Sequence, residues 1–129
     1  MVPVAARIQS AAKAIGVQLE LVTSPAARLP LAIRATETTD APAQAGGYAL
    51  LIGATGIEIR YRQVEALRAA VATLRQLLRE YGRRLPRLII EDYPDFRRRG
   101  VMLDVSRGRV PNLQTLLGLV DHLADFKIN

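Results

Sequence analysis

The chain has 129 residues, a formal net charge of +6, an apolar half, one histidine and no cysteine. That is long enough for one domain with a real core and too apolar for global disorder. Disulfides, thiolate chemistry and cysteine-based metal sites are excluded, and His122 alone cannot build a zinc site, so neither a metal nor a cofactor is expected.

Residues 3–15 predict a helix. Val4, Ile8, Ala11 or Ala12, and Ile15 recur at spacings of three and four, and Gly16 stops the pattern. Residues 17–22 (VQLELV) alternate and predict a strand with Val17, Leu19 and Leu21 inward. A loop and a second short strand, 31–36, follow. Residues 37–47 are small, polar and rich in Pro and Gly, and predict a mobile loop. Residues 48–61 predict a hairpin around GATG, with Ile57, Ile59 and Tyr61 on one face and Glu58 and Arg60 on the other. Residues 62–81 predict the longest helix, its apolar stripe running from Val64 through Leu67, Val71, Leu74 and Leu78 to Tyr81, with Gly82 as a C-terminal cap.

Residues 87–92 predict another strand. Residues 93–96 read as a linker, since the Tyr93-Pro94 step disfavours helix. An apolar strand over 101–105 and a last helix over about 112–127 close the chain. Asn112 is the expected N-cap, and Leu113, Leu116, Leu117, Val120, Leu123 and Ala124 the buried stripe. The whole reads as an α/β chain. A two-layer α+β sandwich with a mixed sheet fills residues 1–95, and a single βα unit, which cannot bury itself as a domain, fills 96–129.

Asp92-Tyr93-Pro94, Arg99-Gly100, Leu103-Asp104-Val105-Ser106-Arg107, Pro111 and Lys127-Ile128-Asn129 carry the most specific signal. Residues 92–129 resemble the opening of the catalytic barrel of family-20 glycoside hydrolases, the β-N-acetylhexosaminidases. Gly47-Tyr48-Ala49-Leu50-Leu51-Ile52, Gly56-Ile57-Glu58-Ile59 and Leu74-Arg75-Gln76-Leu77-Leu78 are similar to the small non-catalytic α/β domain that precedes that barrel. Gly108-Arg109 stands where the family usually has a histidine and an aromatic, which marks a divergent branch.

The resemblance implies a non-catalytic domain over 1–95, then the first strand and helix of a truncated (β/α)8 barrel over 96–129. Barrel sites lie at the C-terminal ends of the strands. Arg107 matches the arginine that holds hydroxyls of the terminal sugar, a task suited to a planar fork of donors. Asp104 is expected in a supporting ion pair and Ser106 in a local hydrogen bond. Arg99 is the supporting arginine before glycine, and His122 a surface or packing residue. The family hydrolyses terminal N-acetylhexosamine by substrate assistance, with an Asp-Glu pair on a later strand. The only adjacent acids here are Glu91 and Asp92, so no catalytic residue is expected in this chain, which reads as an inactive N-terminal fragment of a longer glycosidase.

The expected partner is an N-acetylhexosamine-containing glycan. The arginines are scattered, and the dense run at 97–99 is not interleaved with aromatics, so no nucleic acid is expected. No apolar run reaches about 18 residues, so no membrane partner is expected. No signal peptide is read at the N-terminus, which leaves the compartment open with a tilt toward the cytoplasm. The apolar 97–129 segment is expected to expose itself and to recruit a second copy. Two other readings of the residues stay open: a free-standing α/β binding or interaction module, and a module that takes an acidic partner on its basic surface.

Overall fold

The computed structural model describes residues 4–20, 32–106, 108 and 110–129. Its elements are α1 (Val4–Ala14), β1 (Ala32–Glu37), β2 (Tyr48–Gly53), β3 (Gly56–Tyr61), α2 (Val64–Tyr81), β4 (Leu88–Asp92) and α3 (Leu113–Asp125). The sheet runs β1-β3-β2-β4. β1 is parallel to β3, and β2 is antiparallel to both β3 and β4, so the expected mixed sheet is present.

Register puts both side chains of each cross-strand pair on the same face. Tyr48, Leu50 and Ile52 of β2 stand beside Tyr61, Ile59 and Ile57 of β3, and Leu50 stands beside Ile90 of β4. α1 and α2 cover this face. Leu50, Ile59, Val71 and Leu74 are fully buried at its centre, with Val4, Ile8 and Ile15 of α1 packed around them. The other face carries Glu58, Arg60, Glu91 and an exposed Ile89. Two layers result, both helices on one side.

The hairpin turn requires glycine at Gly56, where φ is +144° and a Cβ would lie 2.4 Å from the Ala32 carbonyl oxygen. Its missing side chain lets β1 pair alongside. α2 begins at Val64, where its stripe begins and two residues later than the expected 62–81 span, because Gln63 is extended and its side chain makes no cap. Gly82 ends it at φ +57°, donating to the Leu78 carbonyl. The 38–47 loop is pinned: Arg62 Nε donates to the Ala41 carbonyl at 2.8 Å, and Ala41 is buried.

Two expected strands are absent. Residues 17–20 follow α1 without pairing, and Gln9 Nε2 takes the Leu19 carbonyl at 3.0 Å; residues 21 and 22 lie outside the described residues. Residues 101–105 are exposed and form no strand. Alternation or apolarity makes a strand only where a neighbouring strand supplies ladder bonds, and among the described residues neither segment has one.

α3 forms as expected from Asn112, whose Oδ1 accepts the Thr115 N–H at 2.8 Å. It stops at Asp125. Ile128 N–H bonds the Leu123 carbonyl at 3.0 Å and Lys127 N–H the Ala124 carbonyl at 3.2 Å, the pair of bonds that closes a Schellman turn. Glycine usually occupies the left-handed position of that turn; here Lys127 does, at φ +58°. The expected buried stripe is half wrong: Leu113, Leu117 and Val120 are 71%, 52% and 61% exposed.

Candidate functional site

The polar side chains of the domain converge where β4, the linker after it and the end of α3 meet. β4 delivers Asp92 beside Tyr48, its register partner on β2. The Tyr48 hydroxyl donates to Asp92 Oδ2 at 2.8 Å and shares a 2.6 Å hydrogen bond with Thr73 of α2. With the Tyr48 hydrogen committed to Asp92, Thr73 is the donor of that second bond. Lys127 Nζ completes the node, donating to Asp92 Oδ2 at 2.7 Å and to Tyr48 Oη at 3.0 Å. The Schellman turn at the end of α3 is what aims Lys127 there.

Burial disfavours the Tyr48 phenolate and raises its pKa despite the Thr73 and Lys127 hydrogen bonds. Burial alone would raise Asp92, but hydrogen bonds from Lys127 and Tyr48 outweigh it and hold its carboxyl below the usual carboxylate range. Burial alone would likewise lower Lys127, and its bonds to Asp92 and Tyr48 raise it instead. The node therefore holds an ammonium, a carboxylate and two neutral hydroxyls at neutral pH.

A second cluster closes the linker onto the chain's last residues. Arg99 N–H donates to Asn129 Oδ1 at 2.8 Å, Asn129 N–H returns to the Arg99 carbonyl at 3.1 Å, and Asn129 Nδ2 takes the Arg97 carbonyl at 3.0 Å. The Arg99 guanidinium reaches the Lys127 carbonyl at 2.9 Å and the Phe96 carbonyl at 2.5 Å. A third cluster seats α3. Asp125, 7% exposed, accepts from Arg7 at 2.8 Å, from Arg79 at 2.6 Å and from Arg75. Burial alone would raise its pKa; the bonds from Arg79 and Arg7 and the charges of Arg75 and Arg79 hold it low.

Together the first two clusters floor an open cleft of about 600 Å³, with Tyr93, Phe96 and Phe126 on its walls beside Glu65 and Arg68. Phe96 and Phe126 are largely exposed. Chemically the clusters are closed. Every charged group of the node faces an opposite charge or a hydroxyl, no nucleophile stands next to a free base, and no metal-binding group of acids and histidine occurs among the described residues.

Of the expected site residues, Asp104 and Arg99 engage different partners. Arg107 lies outside the described residues. Asp104 is exposed and accepts from the Ser106 N–H at 2.8 Å and hydroxyl at 2.5 Å, which lower its pKa. That is the local bond expected of Ser106, while the ion pair expected of Asp104 is not seen among the described residues. His122 is exposed on α3. Arg99 bonds the linker and the chain's last residues. What sequence reasoning missed was the role of Tyr48, Thr73 and Lys127 and the arginine cage around Asp125. Lys127 and Asp92 were legible as motif residues, and nothing in their spacing said that they pair.

Residues 3–93 match the profile of glycosyl hydrolase family 20, domain 2. The chain is 32% identical over 105 residues to a β-N-acetylhexosaminidase of Cellulomonas fimi, covering 78% of this chain and 21% of that protein. It is 36% identical over 86 residues to a β-hexosaminidase of Vibrio furnissii, covering 65% and 14%. Among solved structures, the exo-β-N-acetylglucosaminidase of Vibrio harveyi in complex with N-acetylglucosamine superposes with a TM-score of 0.72 at 26% identity over 98% of this chain and 19% of that one. The chitobiase of Flavobacterium johnsoniae superposes at 0.63 and 28% identity, over 95% and 21%. The chain thus spans about a fifth or less of the length of these relatives.

Proposed function

Because the chain belongs to glycosyl hydrolase family 20, we propose that it is the N-terminal part of a β-N-acetylhexosaminidase that removes terminal N-acetylhexosamine from glycans. Residues 1–95 are its non-catalytic α/β domain and residues 96–129 open the (β/α)8 barrel. The observation that carries this reading is the orientation of α3. Its acids, Asp121 and Asp125, turn toward α1 and α2, while Leu113, Leu117 and Val120 face outward. A helix normally buries its apolar stripe. One that presents charge to its own domain and leucine to the outside is shaped for a second neighbour, as a barrel helix is.

In this reading Asp92, Arg99, Lys127 and Asn129 form the joint between domain and barrel. Arg107, at the end of the first barrel strand, holds sugar hydroxyls through its fork of donors. Asp104 closes the turn after that strand through Ser106, and Arg99 fixes the chain before it. The reaction is substrate-assisted and retaining. The acetamido oxygen of the substrate attacks the anomeric carbon, and an Asp-Glu pair outside these 129 residues orients that group and protonates the leaving oxygen. The partner is therefore the glycan, and residues 1–129 by themselves are inactive.

The test is hydrolysis of p-nitrophenyl N-acetylglucosaminide. The 129-residue chain should release no nitrophenol. A polypeptide extended along the reading frame should, and Arg107→Lys in it should lower kcat/KM by roughly ten- to a hundredfold, the value of a charged hydrogen bond of about 1.5–3 kcal/mol. Turnover by the 129-residue chain, or wild-type kcat/KM in the Lys variant, refutes the assignment.

A further inference from the structure

α3 carries its acids at the wrong end. The last turn of a helix presents unsatisfied carbonyls and a partial negative charge, so carboxylates there are unfavourable in isolation. Asp121 and Asp125 stand in the last two turns of α3, and His122 is the only basic residue that the helix's own last turn supplies. The helix has 13 residues, a length at which isolated helices are marginal in water. Half of its apolar stripe is exposed, so burial holds it only in part.

The opposing surface is equally unfavourable alone. Arg75 and Arg79 stand one turn apart on α2, and Arg7 comes from α1, so three guanidinium groups converge on one point. With α3 seated, the Arg7 and Arg75 side chains are 17% and 16% exposed, so little water screens their contact with Asp125. Brought together, the two surfaces match. Arg7 spans Asp121 Oδ1 at 3.1 Å, the Asp121 carbonyl at 3.0 Å and Asp125 Oδ1 at 2.8 Å. Gln76 Nε2 takes the Asp125 carbonyl at 3.3 Å. The arginines thus bind the carboxylates, and Arg7 and Gln76 each take one carbonyl of the helix end as well.

We propose that the α1–α2 face is a receptor for an acidic helix C-terminus, and that α3 is helical only while seated on it. Extending the reading above, the non-catalytic domain is then the folding template of the segment that follows it. The left-handed Lys127 fits this role. A non-glycine residue is held there against a steric penalty, and its bonds to Asp92 and Tyr48 supply the hold.

Amide hydrogen exchange on the whole 129-residue chain tests the proposal, and it reads helix protection rather than hydrolysis, so this idea and the glycosidase assignment fail separately. Asp125→Ala should speed exchange of the 117–125 amides at least tenfold and leave 70–78 of α2 and 48–52 of β2 at wild-type rates. Arg79→Met, at a side chain 57% exposed and so not needed for the core, should act in the same direction by a smaller factor. Wild-type protection of α3 in Asp125→Ala overturns the proposal. If Asp125→Ala unfolds the whole chain, Arg79→Met decides. Selective loss in α3 supports the receptor. Unchanged protection, or uniform loss across α2 and the sheet, overturns it, because α3 would then be independent or an inseparable part of one core.

Discussion

Tyr48→Phe isolates the polar content of the joint from its packing. The ring is 1% exposed, and phenylalanine keeps it. What disappears is one oxygen that serves three partners: Thr73, Asp92 and Lys127. Asp92 and Lys127 keep their direct bond at 2.7 Å and are partly solvated, so water replaces much of what they lose. Thr73 is buried and loses its acceptor, which costs about 1–3 kcal/mol; rotation of its hydroxyl toward the carbonyl one turn back in α2 returns part of that. The net loss is about 2 kcal/mol. For a chain of this size each kcal/mol is worth roughly 3–5 °C, so Tm should fall by roughly 6–10 °C in a two-state thermal melt.

The cycle with Lys127→Met makes the reasoning sharper. The methionine keeps much of the apolar stem and removes both ammonium bonds, for a loss of about 1–2 kcal/mol. The two changes share the bond between Lys127 Nζ and Tyr48 Oη, so the double variant should be more stable than the sum predicts by about 1 kcal/mol. A Tyr48→Phe protein melting within about 2 °C of wild type, or strict additivity in the cycle, would mean that the node is decoration on a joint held by something else.

Acid and base should both loosen the joint. Asp92 and Asp125 are held below the ordinary aspartate value of about 3.9, so their stabilisation is complete above that value and is lost as pH falls through their lower folded values. Lys127 and Tyr48 are raised, so their share is complete below about 10 and is lost as pH climbs through their folded values. Tm should be flat near neutrality and fall at both ends, and Asp125→Asn should flatten the acid limb; an acid limb unchanged in that variant refutes the linkage. The 129-residue chain should also self-associate through 101–105 and the outer face of α3, seen as a mass in light scattering that rises with concentration, whereas a strictly monomeric chain would favour a self-sufficient module.

How far the sequence was readable depends on whether a pattern carried its own partner. α2 was legible because its stripe and its capping Gly82 are local, and the β2–β3 hairpin because Gly56 encodes its own turn. Asn112 was legible for the same reason, since the cap acts on Thr115 three residues away. The strands expected at 17–22 and 101–105 had the right residue types, but a strand is a relation between two segments, and the second segment is not in the pattern. The joint shows a finer version of this limit. Asp92, Arg99, Lys127 and Asn129 stood out as motif residues, yet their pairing joins positions up to 35 residues apart, and no periodicity encodes that. The arginine cage was hidden in the same way, because Arg7 and Arg75 meet only on Asp125. One local signal could have revealed it: two acids at the carbonyl end of a predicted helix oppose its dipole, and that mismatch asks for cations from elsewhere.

That mismatch also bears on why α3 is inside out. Each of Leu113, Leu117 and Val120 would gain on the order of 1–2 kcal/mol by covering what it now exposes. A helix free to choose would roll its leucines onto α2. It does not, because rolling would pull Asp125 away from three arginines and leave a nearly buried charge cluster uncompensated, a loss of about 3–5 kcal/mol. The charged contact therefore fixes the rotation of α3 about its own axis, and Leu113, Leu117 and Val120 point outward as a consequence. A second neighbour that covers those leucines meets a surface already set in register by Asp125. Under the proposed assignment that neighbour would be the rest of the barrel, and the contact between Asp125 and its three arginines would set the rotation at which α3 meets it.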